Sequence, residues 1–496
     1  MGQTIDSWLA GHAAHQPGKT ALIFEGEKWT YAELHAWVDQ MAAGLVANLG
    51  LKRGDRVAYL GHNSAEEVAL FFAAARVGLM VVPLNWRLAA EELRYITQNA
   101  EVSAFFYGVG MAEVAQEVAA DLPVPATLLD PDTLGADPGS VEVPAAGLSD
   151  PLLIVYTSGT TGRPKGAVHT QEAVFWNALI SCHAHDLSAK DRVLCVLPLF
   201  HVGGINIQMM PCFYAGGTVD LLPVFEPGEV IDALENGTTV ALVVPTIMRA
   251  LAAHPRWAAA KLPDVRLLAI GSTDVPVDIL EAVHQRDIPI VQVYGATETG
   301  PVTTYQRAEE SQSTVGSIGR PGLHVQVRVV DSNGQNCPPA TPGEVWVKAP
   351  NLFTEYWKNP EATTQALSDG WFKTGDVAMW DDQGLLWFVG RLKHVIISGG
   401  ENIYPAEIER VLQTLDGLAE VAVVGREDQR WGQIPVIVAA VQPGGPSREA
   451  LLAACDGKIA RFKHPKDVVF VKNLPRNALG KVVFEEVTKL ANVIEA

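Results

Sequence analysis

The sequence predicts an α/β protein: a large N-terminal body of parallel α/β sheets, a β-rich subdomain, and a small α+β domain at the C-terminus. Three observations predict it. Short apolar runs alternate with helical stretches through the N-terminal part. After about Gly316 the runs become hairpin-like, separated by the turn signals Asn333-Gly334 and Asp381-Asp382-Gln383-Gly384. After Arg391 strands and helices mix within a span of roughly a hundred residues. At 496 residues the chain is long enough for several lobes of roughly 150 residues each.

In chain order, Val57–Leu60, the stretch Asn63 to Val77, and Met80–Val82 read as strand, helix, strand. Ser64 with Glu67 offers a capping box, and Gly78 a helix stop. Leu152–Tyr156, Arg192–Leu197, Val240–Val244, Leu267–Ile270 and Ile290–Val293 then repeat the pattern of strands buried on both faces of a parallel sheet. Val325–Val330, Glu344–Lys348, Val377–Trp380 and Leu385–Val389 are the expected hairpin strands. From His394 the order is strand, helix (Pro405–Leu415), strand (Val421–Val424), strand (Val436–Val441), helix (Arg448–Ala460) and strand (Val468–Val471). The expected domains are 1–391, with the β-rich subdomain at about 316–391, a boundary at 392–393, and 394–496.

Charge narrows the partners. The balance is 37 − 56 = −19, a field that repels nucleic-acid phosphates and anionic lipid. A phosphate-bearing ligand therefore needs a local positive site. The five cysteines, Cys182, Cys195, Cys212, Cys337 and Cys455, form no C-x-x-C pair, so neither a disulfide framework nor a thiolate zinc site is expected. The stretch Met1 to Gln16 lacks a basic region before an apolar run, and Asp6 stands where a myristoylation motif after Gly2 wants Ser or Thr. Val68 to Leu84 is broken by Arg76 and Pro83 and is too short to span a bilayer. A cytoplasmic protein without stable membrane insertion is expected, with a homodimer left open.

The strongest local signal is Tyr156-Thr157-Ser158-Gly159-Thr160-Thr161-Gly162-Arg163-Pro164-Lys165-Gly166, directly after a buried strand. Its glycines let backbone N–H groups approach an anion, its hydroxyls add donors and Lys165 adds charge, a combination suited to polyphosphate. The spacing does not fit G-x-x-x-x-G-K-[ST], which disfavours a P-loop NTPase. At the end of another strand, Tyr294-Gly295-Ala296-Thr297-Glu298 groups an aromatic for a base, a hydroxyl for phosphate and a carboxylate for Mg²⁺. Lys373-Thr374-Gly375-Asp376 offers a carboxylate of the kind that accepts from ribose hydroxyls.

These segments, with Gly390-Arg391-Leu392-Lys393, Ser398-Gly399-Gly400-Glu401-Asn402-Ile403-Tyr404-Pro405 and Asn477-Ala478-Leu479-Gly480-Lys481, resemble the adenylate-forming superfamily, and follow its order from about Trp29 to Lys481. The resemblance implies an ATP-dependent acyl-CoA synthetase: a carboxylic acid and Mg·ATP give an acyl-adenylate and pyrophosphate, then the thiol of coenzyme A displaces AMP. It implies that Lys481 contacts the carboxylate and phosphate oxygens, and that Thr157, Ser158, Gly159, Thr160, Thr161, Gly162, Lys165 and Thr297 hold phosphates. Glu298 would carry Mg²⁺. Tyr294 and Gly295 on one side, and Gly271, Ser272 and Thr273 on the other, would flank adenine, with Asp376 and Arg391 on the ribose. The C-terminal domain would be a mobile lid turning at Lys393.

For the second step, Asp428-Gln429-Arg430-Trp431-Gly432-Gln433 and Ala460-Arg461-Phe462-Lys463-His464-Pro465-Lys466 resemble segments that hold the nucleotide of CoA. Trp431 or Phe462 would pack on its adenine, Lys463 and Lys466 would face its 3′-phosphate, and His464 stands where many relatives carry Arg. Gly399 and Gly400 would border the pantetheine path. Two alternatives remain: loading of a carrier-protein phosphopantetheine, and an inactive nucleotide-binding scaffold. In Leu197-Pro198-Leu199-Phe200-His201-Val202-Gly203-Gly204, amino-acid-activating members place Asp where this chain has His201. His201 resembles the aromatic between acyl pocket and pantetheine tunnel. With Val202, Gly203, Gly204, Met209 and Gly295 around it, an apolar medium-chain or aromatic acid is the expected substrate.

Overall fold

The computed structural model describes residues 4–130, 134–140, 142, 146–157, 163–271, 275–399, 401–476 and 481–492. The chain divides into two compact units, Met1–Val327 with Val347–Phe372, and Arg328–Trp346 with Lys373–Ala496. The expected boundary at 392–393 lies inside the second of these.

The first unit is built on two sheets. Its seven-stranded sheet runs Glu355–Tyr356, Lys165–Thr170, Pro151–Thr157, Met80–Leu84, Arg56–Leu60, Ala104–Tyr107 and Ala126–Leu128. The last five of these pair in parallel, and Lys165–Thr170 folds back antiparallel on Pro151–Thr157. A nine-stranded sheet holds six parallel strands, ordered Ile290–Tyr294, Leu267–Gly271, Val240–Val243, Arg192–Cys195, Thr218–Leu221 and Thr20–Phe24. Such strands read as continuous apolar runs because helices cover both faces. The helix Ala65–Val77 shows how: apart from Glu66 and Arg76 every residue in it is buried. Ser64 Oγ accepts from the Glu67 N–H at 3.1 Å, the Ser64 half of the expected capping box. Gly78 ends the helix at φ 79°, a left-handed turn that costs glycine nothing. Glu67 is buried instead of reaching for water, and burial pushes its carboxyl well above the usual range.

The strand Trp371–Trp380, which lies in the second unit from Lys373 onward, and Leu386–Arg391 form the expected hairpin around Asp381, whose Oδ1 accepts from the N–H groups of Gln383 and Leu385 at 2.9 and 2.8 Å. The C-terminal sheet is dominated by one long antiparallel pair, Leu418–Asp428 with Gly432–Val441, where two short strands were expected. Alternation assigns its faces. Val423 and Ile437 pack with Ile408, Leu412 and Leu451, whereas Ala422, Val424, Val436 and Val438 pack with Val487 of the helix Phe484–Ala491. The helix expected over Arg448–Ala460 stops at Ala453, since the following turn carries Gly457 at φ 69°. That over Pro405–Leu415 stops at Leu412.

Candidate active site

Two strand ends of the first unit converge on one carboxylate. The parallel strand Ile290–Tyr294 finishes in a 3-10 turn, Thr297–Thr299, that carries Glu298. This is the edge at which open α/β sheets bind ligands. Gly295 admits no side chain, because a Cβ there would sit 1.6 Å from the Pro301 carbonyl oxygen. Thr297 is buried, and its backbone lies against the buried His169, whose imidazole burial pushes down to about 4. In the seven-stranded sheet, Lys165 pairs with Thr157, whose hydroxyl donates to the Lys165 carbonyl at 3.5 Å. Lys165 Nζ stands 5.3 Å from the centroid of the Tyr356 ring, and the Tyr356 hydroxyl donates to Glu298 Oε1 at 2.6 Å. Lys165 and Glu298 thus meet through one residue. Ser158 to Gly162, and Ser272 with Thr273, lie outside the described residues, whereas Gly271 ends its strand tightly, a Cβ there meeting the Val293 oxygen at 2.2 Å.

His201 sits at the entrance to a helical stretch that passes through a π-helical segment, Ile205–Met209. Its Nδ1 accepts from the Gly203 N–H at 3.0 Å, which fixes the ring's orientation and places any single ring proton on Nε2. Leu194, Val196, Leu197, Leu242 and Gly204 line a narrow cleft. Gly204 is required there, since a Cβ would fall 2.3 Å from the Pro198 oxygen. Gln208 enters the same cleft, 2% exposed, and neither polar atom of its amide has a partner among the described residues.

In the second unit Asp376 and Arg391 are cross-strand partners, Arg391 Nε lying 3.1 Å from Asp376 Oδ1. Gly375, at φ 69°, makes the bend before Asp376, and the Thr374 hydroxyl accepts from the Asp376 N–H at 3.0 Å. Lys393 follows in the exposed 3-10 turn Leu392–His394, and His394 stacks on Phe484 with centroids 4.0 Å apart. Lys481 is half-buried just before the bridge of Val482 with Arg476. Residues 477–480 of its motif, and Gly400, lie outside the described residues.

The residues assigned to CoA fall into two groups. Trp431 is held outward by a turn in which Asp428 Oδ1 accepts from the N–H groups of Arg430 and Trp431, at 2.8 and 2.9 Å. The Gly399 N–H donates to the Trp431 carbonyl at 2.7 Å, and a Cβ on Gly399 would meet the indole at 2.9 Å. Trp431 and Gly399 are brought together. Phe462, Lys463, His464 and Lys466 follow in the 3-10 turn Arg461–Lys463 and the residues after it. Phe462 is exposed, but Lys463 Nζ is clasped by both carboxylate oxygens of Glu407, at 2.8 and 2.7 Å. His464 Nε2 lies 3.1 Å from the Ile459 carbonyl, and Lys466 is exposed.

Comparison with known proteins decides the family. Residues 9–357 match the AMP-binding enzyme family, and residues 407–481 match the AMP-binding enzyme C-terminal domain. The chain belongs to the AMP-binding enzymes. It is 43% identical over 98% of its length, and 98% of the relative's, to an indoleacetate–CoA ligase of Aromatoleum aromaticum. It is 40% identical over 98% of its length, and 99% of the relative's, to a feruloyl-CoA synthase of Amycolatopsis. Among solved structures, it resembles ATP-bound MatB from Rhodopseudomonas palustris with a TM-score of 0.91, at 31% identity and 100% coverage of both chains. O-succinylbenzoate coenzyme A synthetase from Bacillus subtilis, in complex with ATP and magnesium ion, gives a TM-score of 0.86, at 30% identity and 100% coverage of both chains.

For an AMP-binding enzyme, the donor set around Glu298 suits magnesium that arrives with ATP. Among the described residues no group of three or more His, Cys, Asp or Glu could hold a metal alone. Mg²⁺ is usually held by one or two carboxylates plus substrate phosphates and water, so a single well-placed carboxylate fits. Two residues escaped the sequence reading. Tyr356 lies 58 positions from Glu298, and no local spacing announces the contact. Gln208 could have been noticed as an amide inside an apolar helical run.

Proposed function

We propose that this AMP-binding enzyme is an ATP-dependent acid–CoA ligase acting on an apolar carboxylic acid, an aromatic acid before a medium-chain fatty acid. The observation that carries the reading is the meeting of Lys165 and Glu298 on Tyr356 at a strand-end edge, a cation for phosphate and a carboxylate for Mg²⁺ at one point. An inert scaffold has no need of that pairing.

In the first half-reaction a substrate carboxylate oxygen attacks the α-phosphorus of ATP, the bond to the bridging oxygen breaks, and pyrophosphate leaves. Magnesium, when bound, neutralises phosphate charge. Thr157, Lys165, Thr297 and the loop 158–162 hold the phosphates, and Lys481 stabilises charge developing on the α-phosphate. Tyr294, Gly295, Gly271, Ser272 and Thr273 flank adenine, while Asp376, with Arg391 beside it, accepts from the ribose hydroxyls. In the second half-reaction the CoA thiol attacks the acyl carbon and AMP leaves. His201 stands between acid and thiol, and Gly399, Gly400, Trp431, Phe462, Lys463, His464 and Lys466 receive CoA. Lys393 is the point at which the backbone turns between the two half-reactions, with domains at 1–391 and 394–496.

The buried apolar run Val202, Gly203 and Gly204 that follows His201 supports an apolar acid, and the two relatives named for indoleacetate and ferulate favour an aromatic ring. The test is a panel of aromatic and fatty acids incubated with Mg·ATP and CoA, with AMP and acyl-CoA followed by mass spectrometry. Aromatic acids are expected to turn over fastest. No AMP with any acid overturns the reading.

A further inference from the structure

The segment 353–357 straps the two sides of the phosphate edge together. The Phe353 N–H donates to the Glu298 carbonyl at 2.8 Å, the Thr354 N–H to the Val168 carbonyl at 2.9 Å, and the Trp357 N–H to the Gly166 carbonyl at 2.7 Å. Tyr356 lies between these bonds, paired in register with Ala167. Its own N–H donates to Thr363 Oγ1 at 2.9 Å, so the backbone is held on both sides. Its ring is 8% exposed and packs among Ala167, Ala362 and Phe353, the last with centroids 4.8 Å away. A tyrosine fixed in this way has one polar atom to place, and it places it on Glu298 Oε1.

We infer that Tyr356 is the positioning residue for the metal carboxylate: its hydroxyl occupies Glu298 Oε1 and leaves Oε2 as the oxygen presented to Mg·ATP. The inference rests on the reading of Glu298 as that carboxylate. Mg²⁺ demands near-octahedral geometry and draws few ligands from protein, so the direction of a single carboxylate matters more than in a site with many ligands. A phenol donating to an ionised carboxylate makes a short charge-assisted bond, stronger than one between neutral groups. Groups that orient a metal ligand from outside typically change metal affinity 10–100-fold when removed. The same ring faces the Lys165 ammonium, so one side chain sets the spacing of the carboxylate and the cation.

Tyr356→Phe keeps the ring and its packing and deletes only the donor. The probe is Mn²⁺ with a non-hydrolysable ATP analogue, free Mn²⁺ being counted by electron paramagnetic resonance in the presence of the full chain. The expected result is an affinity for the metal–nucleotide complex weakened by about tenfold. Affinity for the analogue without metal should stay at the wild-type value, and Tm should fall by no more than the few degrees that one lost hydrogen bond costs. Adding Tyr356→Phe to Glu298→Gln should weaken metal binding no further than Glu298→Gln alone. Wild-type metal affinity in Tyr356→Phe, a chain that no longer folds, or additive effects in the double variant would each overturn the inference. A wild-type chain that binds no Mn²⁺–nucleotide would instead overturn the reading of Glu298 on which it rests.

Discussion

The edge assigned to phosphate and the face assigned to coenzyme A are built in opposite ways. Thr297 is 7% exposed and Tyr356 8%, and backbone bonds from the strap 353–357 reach both the Glu298 turn and the strand Lys165–Thr170. Trp431 and Phe462, in contrast, are 45% and 47% exposed. Charge that develops in a transition state is best met by donors already fixed in place, since moving them during the reaction costs energy. A thiol substrate that arrives and departs in every cycle is served by an open aromatic platform, which contributes stacking area without enclosing its ligand. The difference assigns rigidity to the chemistry and openness to the exchange of substrate.

The largest test of that contrast is Lys481→Ala. Removing the cation should slow pyrophosphate release by about 10²–10³-fold, the loss typical for one donor to a developing oxyanion. Thioester formation from a supplied acyl-adenylate should remain within a few-fold. Measured separately, equal losses in both half-reactions would remove Lys481 from the first step.

Next in size is the response to acid. His169 and His185 are fully buried, and burial is the largest cause of their descent from 6.5 to about 4. His394, beside Lys393 and Arg391 and stacked on Phe484, falls to about 4 through burial first. In the folded chain these rings stay neutral at pH 5, while in the unfolded chain they take up protons below about 6.5. Their contribution is therefore whole above that pH and is lost as pH falls toward 4, at up to about 1.4 kcal/mol per pH unit for each histidine. Denaturant unfolding at pH 7 and pH 5 should show the loss, and His169→Gln should reduce its slope. An unfolding free energy unchanged between the two pH values would contradict the burial argument.

What could be read in advance follows the same division. The strand–helix–strand unit at 57–82 was legible because cap, period and stop agree locally. The clusters around Thr157 and Tyr294 were legible because each lies within a few consecutive residues at a strand end, and that around Asp376 because its motif is equally local, although it sits within the strand Trp371–Trp380. The long pair Leu418–Asp428 with Gly432–Val441 was read short because Arg426, Glu427 and Asp428 break its apolar pattern toward the turn. Tyr356 was passed over for another reason. Its meaning depends on Glu298, 58 residues away, and folding alone brings the two together.

A smaller effect is expected from Trp431→Ala. The indole is exposed and held by backbone bonds to Asp428, so its removal should leave the fold and the adenylation rate alone. The KM for CoA should rise by about tenfold, the order of one lost base-stacking contact. An unchanged KM would transfer the platform to Phe462.

The smallest and sharpest test concerns Glu407. Its carboxylate engages Lys463 through both oxygens, so a CoA 3′-phosphate docking on Lys463, as proposed, would compete with an ion pair already made. Surface pairs are worth only about 0.2–1 kcal/mol, and this half-buried pair keeps access to water, which makes the competition winnable and sets the scale of the effect. Glu407→Gln should release the ammonium and lower the KM for CoA by about two- to fivefold, an effect within that range. Dephospho-CoA, which lacks the 3′-phosphate, should show no such gain, and Lys463→Ala should abolish it. Steady-state kinetics with both thiols on the three chains gives the answer. If Glu407→Gln improves CoA and dephospho-CoA alike, the gain reflects the long-range charge of a chain at −19 and not a phosphate on Lys463, whose pairing with Glu407 would then be structural.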